Sequence, residues 1–208
     1  MKRQITSALS VAILFAASLP AAAAPHAGMA KQFAFREAMR KLWEDHVVWT
    51  RQFVVSAVAD LPDKGAAAER LLQNQADIGN AVKPFYGDAA GERLAALLKE
   101  HITVAAELVA AVKASDKAKA DDAGRRWNAN ADEIATFLSG ANPKAWPAAE
   151  MKKMMREHLE LTTAEVAARL RGDWAADIAA YEKIHAQILH MADMLSAGII
   201  SQFPEKFA

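Results

Sequence analysis

The sequence contains no cysteine. That excludes disulfides, thiolate nucleophiles, cysteine metal ligands and a lipid-modified cysteine at the end of a leader. It also lacks an excess of either charge, with 25 Lys+Arg against 25 Asp+Glu, so no overall field draws it to nucleic acid or an acidic membrane surface. Alternating β-branched runs are missing, and no glycine-rich phosphate loop, dinucleotide fingerprint or nucleophile elbow occurs. These absences weigh against an enzyme of the common nucleotide-dependent or hydrolytic kinds.

What is present is helix-forming sequence. Of 208 residues, 53% are hydrophobic and 24% charged, enough for one well-buried core and too few to demand two domains. The first residues read separately. Lys2 and Arg3 precede an apolar run from Ile5 to Leu19 and a small-residue tract Ala21 to Ala24, the pattern of a secretory signal peptide over residues 1–23. The run is short for a membrane span, which needs about 20 residues. The expected location is therefore the periplasm or the extracellular space, without membrane insertion after cleavage. Residues 24–31 read as a loose leader, and residues 32–208 as a single all-α domain.

Within that domain apolar residues recur at three- and four-residue steps, and turn signals at Asp60-Leu61-Pro62, Pro84-Phe85-Tyr86-Gly87, Ser115-Asp116, Asn142-Pro143 and Arg171-Gly172-Asp173 divide the chain. The reading is three helical hairpins, over 32–84, 88–142 and 147–203. An acid followed by histidine recurs in the first helix of each, at Asp45-His46, Glu100-His101 and Glu157-His158, and the histidines are 55 and 57 residues apart. Such a period matches one long hairpin with its turns. The fold expected is a compact bundle of about six helices built from three repeated hairpins, with an open superhelix as the alternative.

The repeat also selects candidate site residues. Three and four residues beyond the histidines stand Trp49, Val104 and Leu161, then Thr50, Ala105 and Thr162. These rows share a helix face with the histidines and are mostly apolar or small, so the imidazoles should point inward. The preceding acids lie about 100° away around the helix. In the returning helices Asn74 and Asp77 match Asn130 and Glu133. The third hairpin offers two alignments, one with Gln187 and His190, the other with His190 and Asp193. The second is preferred because it keeps an acid and an apolar follower.

If these rows meet on one axis, His46, His101, His158 and His190 with Asp77, Glu133 and Asp193 could bind zinc, iron, manganese or copper, with Asn74 and Asn130 orienting the ligands. The pattern matches neither the di-iron spacing of helical bundles nor a zinc-protease helix. The competing reading is that each histidine pairs within its own hairpin and merely satisfies the core. An organic ligand or haem is a third possibility, and no particular protein partner is indicated.

The segments Leu42-Trp43-Glu44-Asp45-His46-Val47-Val48-Trp49-Thr50-Arg51, Pro84-Phe85-Tyr86-Gly87 and Glu157-His158-Leu159-Glu160-Leu161-Thr162, together with Trp127 to Ile134, resemble a poorly characterised family of small helical bacterial proteins. The likeness spans nearly all of the chain after the leader. It implies the all-α fold class and no established activity, and it assigns no functional residue.

Overall fold

Each long apolar-periodic segment forms a helix, and each turn signal ends one. The computed structural model describes residues 24–208, so the expected signal peptide lies outside the described residues. The helices are α1 Ala24–Val58, α2 Lys64–Tyr86, α3 Asp88–Lys113, α4 Lys117–Ala141, α5 Ala148–Leu170 and α6 Trp174–Gln202, followed by a 3₁₀ turn Pro204–Phe207. Among the described residues there is no strand, and no helix is long and apolar enough to cross a membrane.

The turns after α1, α3 and α5 have the same geometry. Each helix closes with a six-residue bond from a backbone N–H to the carbonyl five residues earlier: Leu61 to Ser56 at 2.9 Å, Asp116 to Ala111 at 2.9 Å, and Asp173 to Ala168 at 3.0 Å. The residue before each donor sits at positive φ, Asp60 at 54°, Ser115 at 57° and Gly172 at 70°. This is the left-handed C-cap that satisfies otherwise orphaned carbonyls. Asp116 and Asp173 then cap the next helix, their Oδ1 atoms accepting from the N–H groups of Lys119 and Ala176. In the first hairpin Leu61-Pro62 occupies this place, and Asp63 makes no such side-chain cap.

Neighbouring helices pack in chain order, and α6 returns against α1 to close the ring. The first helices of the hairpins also meet inside, α1 touching both α3 and α5. Their inward residues form successive layers: Met39, Leu94 and Met151; Trp43, Leu98 and Met155; His46, His101 and His158; then Val54, Val109 and Val166 beyond a step of half-buried Thr50 and Ala105 and buried Thr162. The described residues thus form a compact six-helix bundle, not an open superhelix. Close approach of α2 and α3 depends on Gly79 and Gly91: a Cβ on Gly79 would stand 2.5 Å from the Gly91 carbonyl oxygen.

Two local expectations differ from what is observed. Residues 24–31 are the first turns of α1, not a loose leader. The C-terminus holds them there: Lys31 Nζ bonds the Ala208 carbonyl, Phe35 packs on Phe207 at 5.2 Å between ring centres, and a Cβ on Gly28 would come within 2.8 Å of the Phe207 carbonyl oxygen. The first hairpin, expected to end at residue 84, runs on through Pro84 to Tyr86, and the Pro84-Phe85-Tyr86-Gly87 signal ends α2 at its last residue. A proline this near the helix end forfeits little, and Gly87, with φ 85°, makes the actual break.

Candidate functional site

The three repeated histidines do point inward and come together. Ring centres of His46 and His158 are 5.9 Å apart, and those of His101 and His158 are 6.4 Å apart. All three residues are buried. The partners of their ring nitrogens decide what they can do.

In the second hairpin, Asn130 bridges ring and backbone. Its Nδ2 donates to the Leu97 carbonyl at 3.1 Å, which fixes its Oδ1 toward His101 Nδ1 at 2.8 Å. An amide oxygen can only accept, so Nδ1 carries the proton and Nε2 keeps a lone pair. Trp127 Nε1 donates to that lone pair at 3.1 Å. Both ring nitrogens are thereby used. The third hairpin repeats the bridge: Gln187 Nε2 donates to the Met154 carbonyl at 3.1 Å, and its Oε1 faces His158 Nδ1 at 3.2 Å.

The first hairpin divides the same task between two residues. Asn74 Nδ2 donates to the Leu42 carbonyl at 3.0 Å, while Gln75 Nε2 donates to Asn74 Oδ1 at 3.2 Å and to the Leu71 carbonyl at 2.7 Å. Among the described residues His46 Nδ1, Gln75 Oε1 and Trp43 Nε1 have no hydrogen-bond partner. This hairpin holds the least satisfied part of the layer.

Burial makes all three imidazoles poor bases. Desolvation, with the neighbouring His158 and His101, lowers His46 to about 3, opposed by the nearby Gln75 amide, which faces the ring without completing a hydrogen bond. Desolvation and His158 lower His101 to about 3, against the hydrogen bond to Asn130. Desolvation lowers His158 to about 4, opposed by Gln187. Near neutral pH the layer is uncharged.

The carboxylates expected beside the histidines are elsewhere. Asp77 accepts from Gln73 at 3.0 Å and lies 3.7 Å from Arg70, its side chain 36% exposed. Glu133 pairs with Arg93 at 51% exposure, and Asp193 with Arg40 at 2.5 Å and 49% exposure. His190 is exposed on α6. The preferred alignment through His190 and Asp193 is therefore corrected: Gln187, directly counted, occupies the layer. Asn74 keeps the carbonyl half of the bridge through Leu42, while Gln75 stands at the spacing from His46 that Asn130 and Gln187 keep from their histidines. Among the described residues no group of three or more His, Asp or Glu side chains could hold a metal ion. The residues present do not fit the expected metal centre, because the acids prefer arginine at the solvent boundary and amides take the places beside the rings.

Two features have no signature in the helix repeat. Arg51 of α1 reaches Glu165 Oε1 of α5 at 2.5 Å and makes a two-pronged contact with Asp177 of α6 at 2.9 and 3.1 Å; Arg169 Nη1 adds a bond to Asp177 at 2.9 Å. The acid side chains are only 2% and 1% exposed. Burial pushes the Glu165 carboxyl up against the opposing pull of Arg51, whereas at Asp177 the bonds from Arg51 and Arg169 outweigh burial and hold it below its usual value. Residues on three helices build this cluster, so no local spacing announces it.

The second feature is a cavity of about 110 Å³ among α1, α3 and α5, just beyond the histidine layer. Thr50, Val54, Ala105, Val109, Thr162 and Val166 are among its walls. Thr50 and Thr162 donate their hydroxyl hydrogens to the carbonyls of His46 and His158 at 2.7 and 2.8 Å, turning their methyl groups into lining.

Compared with known proteins, the chain matches no family model, no curated protein and no solved structure.

Proposed function

We propose that this is an exported, non-catalytic helical-bundle protein in which the histidine layer serves the fold by specifying how the three hairpins pack. The observation that carries the reading is the Asn130 bridge, which uses His101 Nδ1 through one amide atom and the Leu97 carbonyl through the other, and its recurrence at Gln187 with His158. Buried polar groups joined in this way favour one register, because any slip leaves donors and acceptors unpaired. Uncharged imidazoles with both nitrogens engaged, as at His101, are poorly placed for proton transfer. Export rests on the leader sequence and places the protein in the periplasm or outside the cell.

The competing reading is a transition-metal centre of zinc, iron, manganese or copper on the same rings. Their closeness and the amide-held Nδ1 atoms favour it, since metal-bound histidines are commonly oriented through the other nitrogen. It would require Trp127 to release His101 Nε2. Elemental analysis of the untagged mature protein, with melting curves of wild type and His101→Ala in added metal, separates the two. The fold-serving reading expects no stoichiometric metal, no upward shift and a mutant that is destabilised alike in every buffer. A near-stoichiometric metal whose stabilisation disappears in the mutant would overturn it.

A further inference from the structure

We infer that the cavity among α1, α3 and α5 is a binding site for a small, uncharged apolar molecule, of the size of benzene or less. Its volume of about 110 Å³ approaches that of engineered apolar cavities, about 150 Å³, that take up benzene or xenon. The space exists because small residues face it. Ala105 and Ala106 on α3 and Thr162 and Ala167 on α5 stand where larger aliphatic side chains would close the core, and natural interiors leave few voids larger than a water molecule.

The lining also selects the chemistry. Water would need two to four polar partners, whereas the hydroxyl hydrogens of Thr50 and Thr162 are already given to helix carbonyls and Trp127 Nε1 donates to His101, which leaves the hydroxyl of the exposed Thr163 as the uncommitted donor of the lining. Among the described residues no charged side chain stands in the wall. A charged or strongly hydrated ligand would lose its solvation there without replacement. Access is from the side of Val112, a lining residue that is 43% exposed.

The probes are benzene and xenon, with benzoate as the charged control. Benzene at about ten times its Kd should raise the melting temperature by about 3–6 °C, and benzoate should not. In the wild type, contacts measured by NMR should run from benzene protons to the methyl groups of Val54, Val109 and Val166. Ala105→Leu, which fills the space, should abolish the shift while melting no lower than the wild type. No response to benzene or xenon, contacts at other methyl groups, or an undiminished shift in Ala105→Leu would overturn the proposal. If Ala105→Leu does not fold, the wild-type contacts decide the question alone.

Discussion

His101 and Asn130 meet at 2.8 Å between Nδ1 and Oδ1, on neighbouring helices 29 residues apart in sequence. The contact ties the tautomer of a buried ring to the backbone of its own helix, because Asn130 also holds the Leu97 carbonyl. It therefore fixes the height of α4 against α3 as well as the state of the imidazole.

Asn130→Ala should expose what that contact contributes. It leaves a buried imidazole N–H without an acceptor and removes the donor to Leu97, a loss of about 2–3 kcal/mol. For a chain of this size the melting temperature should fall by about 4–12 °C. Urea unfolding with an unchanged slope would show that native stability alone has changed. A loss below about 0.5 kcal/mol would mean that the contact is incidental.

Acid should unfold the bundle through the histidine layer. His46 and His101 are held at about 3 and His158 at about 4, against 6.5 for the free side chain. Between about pH 6 and 4 the unfolded chain takes up protons that the folded chain refuses, so stability rises with pH across this window and is lost as pH falls. Three sites give a slope approaching about 4 kcal/mol per pH unit. His158→Gln should remove about a third of it, as read from urea midpoints at several pH values. An equal slope in that variant would assign acid sensitivity to other groups.

Arg51→Ala should be among the costlier single changes at a charged residue. It leaves Glu165, 2% exposed, without its cationic partner, and leaves Asp177 with Arg169 alone. Removing one member of a buried ionic cluster costs about 3–5 kcal/mol. Glu165→Gln, which keeps the shape and removes the uncompensated charge, should recover much of the loss in an Arg51→Ala background. Absence of that rescue would show that Arg51 acts chiefly through its packing over the Tyr181 ring, 4.7 Å from its centre.

The helical repeat was legible because it is written locally. His46, His101 and His158 keep one register with the turn residues Asp60, Ser115 and Gly172 that close their helices, and inward placement of the rings follows from their apolar neighbours. The partners were less legible. Gln187 and His190 both lie at plausible places on α6, and periodicity cannot choose between an amide and an acid as the group that enters a desolvated layer. Physics chooses the amide, which carries no charge to bury and offers both a donor and an acceptor. Asp77, Glu133 and Asp193 sit just far enough around their helices to reach Arg70, Arg93 and Arg40. The Arg51 cluster and the cavity depend on how three helices meet, which no single segment encodes.

The most direct measurement is the nitrogen NMR spectrum of the imidazole rings, recorded from pH 8 to 5 and again with added zinc. The expected spectrum shows His101 and His158 as neutral rings with the proton on Nδ1, unchanged over this range and unmoved by zinc. A proton on Nε2, titration near pH 6.5, or a zinc-induced shift at these rings would contradict a histidine layer held by amides in the service of the fold.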